Sequence, residues 1–150
     1  MSIRLYRDND KTCHIEYYPK TASTDYTFND IVALSDDGQL ELMTDAANIV
    51  KVGLIQKTIA STDSDYASTT RVPVQVCGPD AEYLADVGTG TGNANDVGQF
   101  VDLDGAGNAH QDIDLDNSSF DICEVTGFVS TTQMIVKFNP VTGVLATGPA

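Results

Sequence analysis

A chain of 150 residues, 41% hydrophobic and 20% charged, can bury roughly 70% of the surface its unfolded form exposes, so one domain, or two small modules sharing a core, folds without staples. A net charge of −14 argues against a binder of nucleic-acid backbone, whose affinity comes from cationic contacts. No apolar run approaches the roughly 20 residues of a membrane span, and "MSIRLYRDNDK" spreads its charges with no apolar stretch of signal-peptide length.

The charge is unevenly placed. Residues 1–20 set Arg4, Arg7, Lys11 and Lys20 against Asp8, Asp10 and Glu16, so nearly all the excess acidity lies further on. Residues 1–27 therefore read as an N-terminal arm or edge strands, weakly basic over 1–20, ahead of an acidic body kept soluble by its charge. "SIRLY" alternates with Ile3 and Leu5 on one face, and "CHIEYY" sets Ile15 and Tyr17 opposite His14 and Glu16. Tyr17 and Tyr18 ahead of Pro19 read either as interface anchors, offering large contact area with a polar tip, or as a half-buried strand. Cys13, Cys77 and Cys123 are far apart and form no C-x-x-C, so all three are expected to be small apolar residues in a reduced compartment. His14 beside Cys13 does not make a metal pair, because adjacent strand residues point to opposite faces.

In "VALSDDGQLEL" (32–42) the question is whether D-D-G binds a cation or turns a hairpin. A three-residue loop Asp36-Asp37-Gly38 pairs Leu34 with Leu40 and Val32 with Leu42, placing all four apolar side chains on one face, which a one-residue slip would not do. It also puts Gly38 at the left-handed position such loops require. The stretch is a turn. "NDIVALSDDG" (29–38) and then "DAANIVKVGLI" (45–55) are echoed by "NDVGQFVDLDG" (95–105) and then "DNSSFDICEVTGFV" (116–129), so 29–55 and 95–129 form a weak internal repeat, each copy a hairpin followed by a returning strand.

"VPVQV" places Val72, Val74 and Val76 on one face, while Pro73 moves it toward a sheet edge or a bulge. "PDAEYLADVG" (79–88) reads as a helix between Pro79 and Gly88, or equally as a strand with Tyr83, Ala85 and Val87 on one face. "GTGTGNAND" (88–96) fails the dinucleotide fingerprint, because the third glycine position is Asn93, and lacks the lysine of a phosphate loop; it reads as a flexible connection between the repeat units.

"DLDGAGNAHQDIDLDN" (102–117) resembles calcium loops, which need oxygen ligands at alternating positions around a glycine turn and a bidentate glutamate at position twelve. Starting at Asp102, the frame keeps Asp104, Gly107 and Asn108 but meets Ala106 at position five and Ile113 at twelve. Starting at Asp112, it keeps Asp114 and Asp116 but meets Cys123 at twelve, with Glu124 one place beyond. Neither frame closes. Asp102, Asp104, Asp112, Asp114 and Asp116 remain weak metal candidates, and "DIDLD" is equally a strand with Ile113 and Leu115 inward and aspartates outward. "QMIVKF" sets Met134, Val136 and Phe138 on one face, and the tail at 139–150 is a second candidate arm or a frayed end. No cofactor is expected. His14 and His110 are the two imidazoles, and no G-x-S-x-G or H-E-x-x-H occurs, so an enzyme is not expected.

"DIVALSDDGQLELMTDAANIVKVGLI" resembles the strand, DG turn, strand and V-x-V-G module of tailed-phage head decoration (capsid cement) proteins. "VPVQVCGPDAEYLADVGTGTGNANDVGQFVDL", continuing to "FDICEVTGFVSTTQMIVKF", is similar to small phage structural proteins of the same strand-rich layout; together they cover about residues 28–138. The motifs are degenerate turn-and-strand patterns. The resemblance implies an all-β, often trimeric accessory protein on the outer capsid surface of the virion, present in the host cytoplasm during assembly, whose partners are the major capsid protein and itself. It brings no catalytic residues, and the extra segment 1–27 departs from it.

The combined expectation is an all-β fold, a small β-barrel or β-sandwich (β-tulip-like) built from two hairpin modules at 28–138 with an extended N-terminal arm. The interface expected on that arm comprises Ile3, Arg4, Leu5, Tyr6, Arg7, Tyr17 and Tyr18, adding a strand to a neighbour's sheet edge. Competing readings are a phage tail or head-fibre part, or a calcium-dependent β binding module.

Overall fold

The computed structural model describes residues 3–9, 11–44, 51–105 and 111–138. The tail at 139–150, His110 and positions 106–108 of the first calcium frame lie outside the described residues. The strands are β1 (Ile3–Arg7), β2 (His14–Pro19), β3 (Ile31–Leu34), β4 (Leu40–Leu42), β5 (Lys51–Ile55), β6 (Arg71–Val76), β7 (Glu82–Thr89), β8 (Phe100–Asp104), β9 (Asp112–Asp114), β10 (Cys123–Ser130) and β11 (Gln133–Phe138). A single 3-10 turn at Ala94–Asp96 is the helical element among the described residues. The fold is all-β, in two sheets that pack in a sandwich-like arrangement. One runs β1-β7-β11-β10-β8-β9 and the other β2-β6-β5-β3-β4. Of the two helix-or-strand readings of 79–88, the strand is the one formed, with Tyr83 and Ala85 buried.

The hairpin at 32–42 has the expected register: Val32 faces Leu42 and Leu34 faces Leu40. Ser35 N–H donates to Gln39 O at 2.9 Å, Gly38 N–H donates to Ser35 O at 2.9 Å, and Gly38 has φ 80°. The Asp37 carboxylate accepts from Gln39 N–H at 3.0 Å and from the Ser35 hydroxyl, so this acid is used in closing the turn. Val32 and Leu40 are buried with Val72, Val74 and Val76, and Leu34 and Leu42 pack on the same cluster.

The repeat extends well past 29–55 and 95–129. β2 to β6 and β7 to β11 are two successive sets of five strands with the same pairing pattern. β2–β6, β6–β5, β5–β3 and β3–β4 are antiparallel, as are β7–β11, β11–β10, β10–β8 and β8–β9. Each set also returns on itself through a parallel contact, Lys20 with Leu40 in the first and Val87 with Ile113 in the second. The registers agree residue for residue. Lys20 N–H donates to Thr70 O at 3.0 Å where Val87 N–H donates to Thr132 O at 2.9 Å. Leu40 and Ile113 then correspond, and so do Leu34 and Leu103, Val32 and Val101, Ala33 and Asp102, Tyr17 and Leu84. We call these sets the N-terminal and C-terminal units.

The units join at the outer face of the N-terminal one. Ile31 and Leu54, with Met43, enter the main core of Tyr83, Ala85, Val101, Ile113, Cys123, Val125, Met134 and Val136. The buried Gln111 side chain fastens the joint: Oε1 accepts from Ile31 N–H at 2.7 Å, and Nε2 donates to Ile31 O at 3.1 Å and Met43 O at 3.2 Å. The amide thus pairs with Ile31 as a neighbouring strand would, satisfying the Ile31 N–H and the Met43 carbonyl at the junction. Close approach also fixes Gly53, where an added Cβ would lie 2.0 Å from Gln75 O.

Four expectations need correction. Cys13 and Cys77 form a disulfide, and Cys123 alone is a buried thiol. The bridge follows from register: His14 faces Val76, so residues 13 and 77 are the next opposed pair. They fall at a non-hydrogen-bonded position of the β2–β6 ladder, where side chains approach most closely. A spacing of 64 residues hid that neighbourhood from the sequence. Pro73 lies in the interior strand β6, neither at an edge nor in a bulge. Its carbonyl accepts from Gln56 N–H at 2.8 Å just past the end of β5, so its missing N–H faces Gln56 beyond the last paired residue of β5 and interrupts no bond within the β5–β6 ladder.

The glycine-rich stretch 88–96 lies within the C-terminal unit, between β7 and β8, and it is tied down. Gly92 N–H donates to Thr131 O at 2.8 Å, and Asn93 and Asp96 form a reciprocal capping box. Finally, of the arm and edge-strand readings of the N-terminus, the described residues form edge strands: β1 pairs with the chain's own β7 and Ile3 is fully buried.

Candidate interaction edges and the acidic face

β1 and β2 are each the first strand of their sheet. In β1, Ile3 is core and Leu5 packs against it, while Arg4, Tyr6 and Arg7 are exposed. The Arg7 guanidinium lies over the Tyr6 ring, 5.3 Å from its centroid, and 3.6 Å from the Glu82 carboxylate. Of the residues expected at an interface, Ile3 and Leu5 are thus committed to the protein's own core. Burial correlates with the alternation of "SIRLY": the faces were legible, but not that the inward face was already filled.

In β2 the tyrosines divide. Tyr18 packs on the N-terminal cluster, its hydroxyl donating to Glu16 at 3.2 Å, whereas Tyr17 is 59% exposed and Ile15 47% exposed. These two share the outer face with Pro73 and Gln75 of β6. On the opposite face His14 Nε2 meets Glu16 at 2.8 Å and His14 Nδ1 meets Thr12 O at 2.7 Å. The Thr12 carbonyl first, and Glu16 second, raise the imidazole's pKa above its ordinary 6.5.

The segment between the two edges is stitched to the linker between the units. Asn9 Nδ2 donates to Asp80 O at 2.8 Å and to Glu82 at 3.0 Å, Gly78 N–H donates to the Thr12 hydroxyl at 2.8 Å, and Cys13 N–H donates to Asp8 at 3.0 Å. The Asn9 bond, with Thr126, Arg7 and Lys137 after it, holds the Glu82 carboxyl below its ordinary range. Lys20, one of the four N-terminal cations, is fully buried, its ammonium donating to Tyr66 O at 3.0 Å and Ser68 O at 2.5 Å. It closes a loop instead of meeting a partner, a role no sequence motif signals.

The candidate metal ligands sit on β8 and β9. Asp102 faces Asp114 and Asp104 faces Asp112, with Ile113 buried on the reverse side and Leu115 packed on the core. Asp102 is fully buried, unlike the surface position expected of it; its Oδ1 accepts from Phe120 N–H at 2.9 Å, holding the 117–121 loop over the sheet. Asp104 accepts from the Thr89 hydroxyl at 2.5 Å, Asp114 accepts from Asp116 N–H at 3.0 Å, and Asp116 is exposed. Among the described residues no group of three or more His, Cys, Asp or Glu side chains is placed to hold a metal ion. Nor, among them, is any helix long and apolar enough to cross a membrane, which says nothing of membrane β-barrels.

No protein-family model matches the chain, and no curated protein matches it in sequence.

Proposed function

We propose that this chain is a virion structural protein without enzymatic activity, which decorates and stabilises the exterior of a phage capsid by binding the major capsid protein lattice as a homotrimer or other homo-oligomer. The observation that carries the reading is the division of the surface. Exposed Tyr6, Tyr17, Arg4 and Arg7 lie on the edge strands β1 and β2, and the half-buried Asp104, Asp112 and Asp114, with exposed Asp116 just beyond, lie on β8 and β9. An accessory protein of a shell needs an attachment side and a solvated side, and edge strands supply backbone groups for the first. The Cys13–Cys77 disulfide suits a particle that persists in an oxidising exterior.

The test is co-sedimentation with undecorated capsids of its own phage. Saturable binding by the native protein, weakened at least tenfold by Tyr6→Ala with Tyr17→Ala, is expected. Deleting residues 1–20 is not a usable control, since it removes β1, β2 and half of the disulfide. Absence of binding by the native protein would overturn the capsid role.

A further inference from the structure

The correspondence between the units exposes one difference at their edges. In the C-terminal unit, the N-terminal half of β7 is paired on both sides: β11 lies on one, and β1 fills the other, with Ile3 facing Ala85, Arg4 facing Leu84 and Leu5 facing Tyr83. The corresponding residues of β2 are Tyr18, Tyr17 and Glu16, with Ile15 at the place of Glu82. Their pairing to β6 is complete, and on the other side β2 meets no strand among the described residues until Lys20 touches Leu40. Backbone groups alternate along a strand. Because Lys20 N–H points to β6, so do those of Tyr18 and Glu16, and those of Tyr17 and Ile15 point away from it. Tyr17 O on that open side is met by the Arg71 guanidinium at 3.1 Å, a side chain standing where a strand would lie.

We propose that the open edge of β2 over Ile15–Tyr18 is an acceptor slot for an extended strand of a different protein, antiparallel to β2 as β1 is to β7, with a basic residue facing Glu16. The outer face of the slot is apolar and continuous with the joint between the units: Ile15 and Tyr17 lie beside Pro73 and Gln75, and Gln75 faces Leu54, which is buried in the main core. Its inner face presents Glu16 where the C-terminal unit presents Tyr83, so the residue in the place of Leu5 meets a carboxylate instead of a ring. In the register that sets Ile15 against Tyr17, pairing of two β2 edges of this chain would place Glu16 opposite Glu16, so a strand that brings a basic residue to that place is favoured over a second copy. The slot is argued from the repeat and holds whether or not the partner is a capsid protein.

Two synthetic peptides test it on the full-length protein: S-I-R-L-Y-R, the sequence of residues 2–7, and S-I-R-K-Y-R, with lysine at the position that faces Glu16. Amide exchange followed by NMR is expected to slow about tenfold at Ile15 and Tyr17 with saturating lysine peptide and to stay unchanged at Leu84. The lysine peptide is expected to bind severalfold tighter than the leucine peptide, and Glu16→Gln to abolish that preference while leaving the fold intact. Tyr17→Pro, which removes an N–H not used in the β6 ladder, is expected to abolish binding. Exchange at Ile15 and Tyr17 that neither peptide slows, displacement of β1 seen as faster exchange at Leu84, or a lysine preference that survives Glu16→Gln would each overturn the proposal. Peptide binding without capsid binding would keep the slot and overturn the capsid role.

Discussion

The outer faces of β3 and β8 occupy the same place in two units of one topology, and they meet different fates. In the N-terminal unit, Ile31, Ala33 and Leu54 are fully buried, Ile31 and Leu54 in the core shared with the neighbouring unit, and Gln111 fastens Ile31. In the C-terminal unit the same positions are Phe100, Asp102 and Glu124: Phe100 is 43% exposed, and Asp102 is covered by the protein's own 117–121 loop. The units therefore stack head to tail, and the second carries a charged, loop-covered face where a third would dock. Such a polar outer face is what the capping repeats of solenoids present. The edges differ in the opposite sense, with β7 covered by β1 and β2 open.

The comparison is broken most strongly at the disulfide, which secures β2 in one unit and has no counterpart at Asp80, the residue that corresponds to Cys13. Replacing Cys13 and Cys77 by serine removes a 64-residue cross-link, worth about 4 kcal/mol on a chain-entropy basis, and lowers the melting temperature by roughly 10 °C in calorimetry. Gln111→Ala comes next. It removes the partners of Ile31 N–H and Met43 O at the joint, Ile31 O keeping its bond from Met43 N–H, and costs about 2 kcal/mol in denaturant unfolding, with the unfolding transition losing cooperativity as the units uncouple.

Asp102→Ala gives the C-terminal unit the residue its partner position already has. The covering loop loses its anchor at Phe120, stability falls by about 1 kcal/mol, and amide exchange accelerates at Phe120 but not in the 35–39 turn.

The smallest effect is one of pH. Glu82, held below its ordinary 4.5 first by Asn9, is more acidic in the folded protein. The stability it adds is present above that value and is lost as pH falls through the folded one. Acidification below pH 4.5 therefore loosens β1 before β2, read as exchange at Arg4, whose amide faces β7, against Tyr18, and Glu82→Gln removes the difference. Ile15, at the corresponding place in β2, gives no such dependence.

The sequence disclosed what depends on neighbours along the chain. The D-D-G turn, its register and the valine face of β6 follow from a period of two and one left-handed glycine, and the hairpin echo was visible as a repeat. What it withheld depends on neighbours across the sheets. The pairing of Cys13 with Cys77, the burial of Lys20 and Asp102, and Gln111 reaching Ile31 over 80 residues carry no local pattern. The repeat's full extent was hidden because corresponding positions, such as Lys20 and Val87 or Ala33 and Asp102, share geometry without chemistry. For the interface, alternation identified which residues of β1 face together, yet assigned Ile3 and Leu5 to a partner because nothing local revealed that β7 was waiting for them.

Two units of one design, with one strand slot filled and the other open, differ in amide hydrogen exchange on the free protein. Tyr17 is expected to exchange at least a hundredfold faster than Leu84, its counterpart paired with Arg4. Equal protection at the two amides would mean that β2 is already covered, and would contradict an open slot.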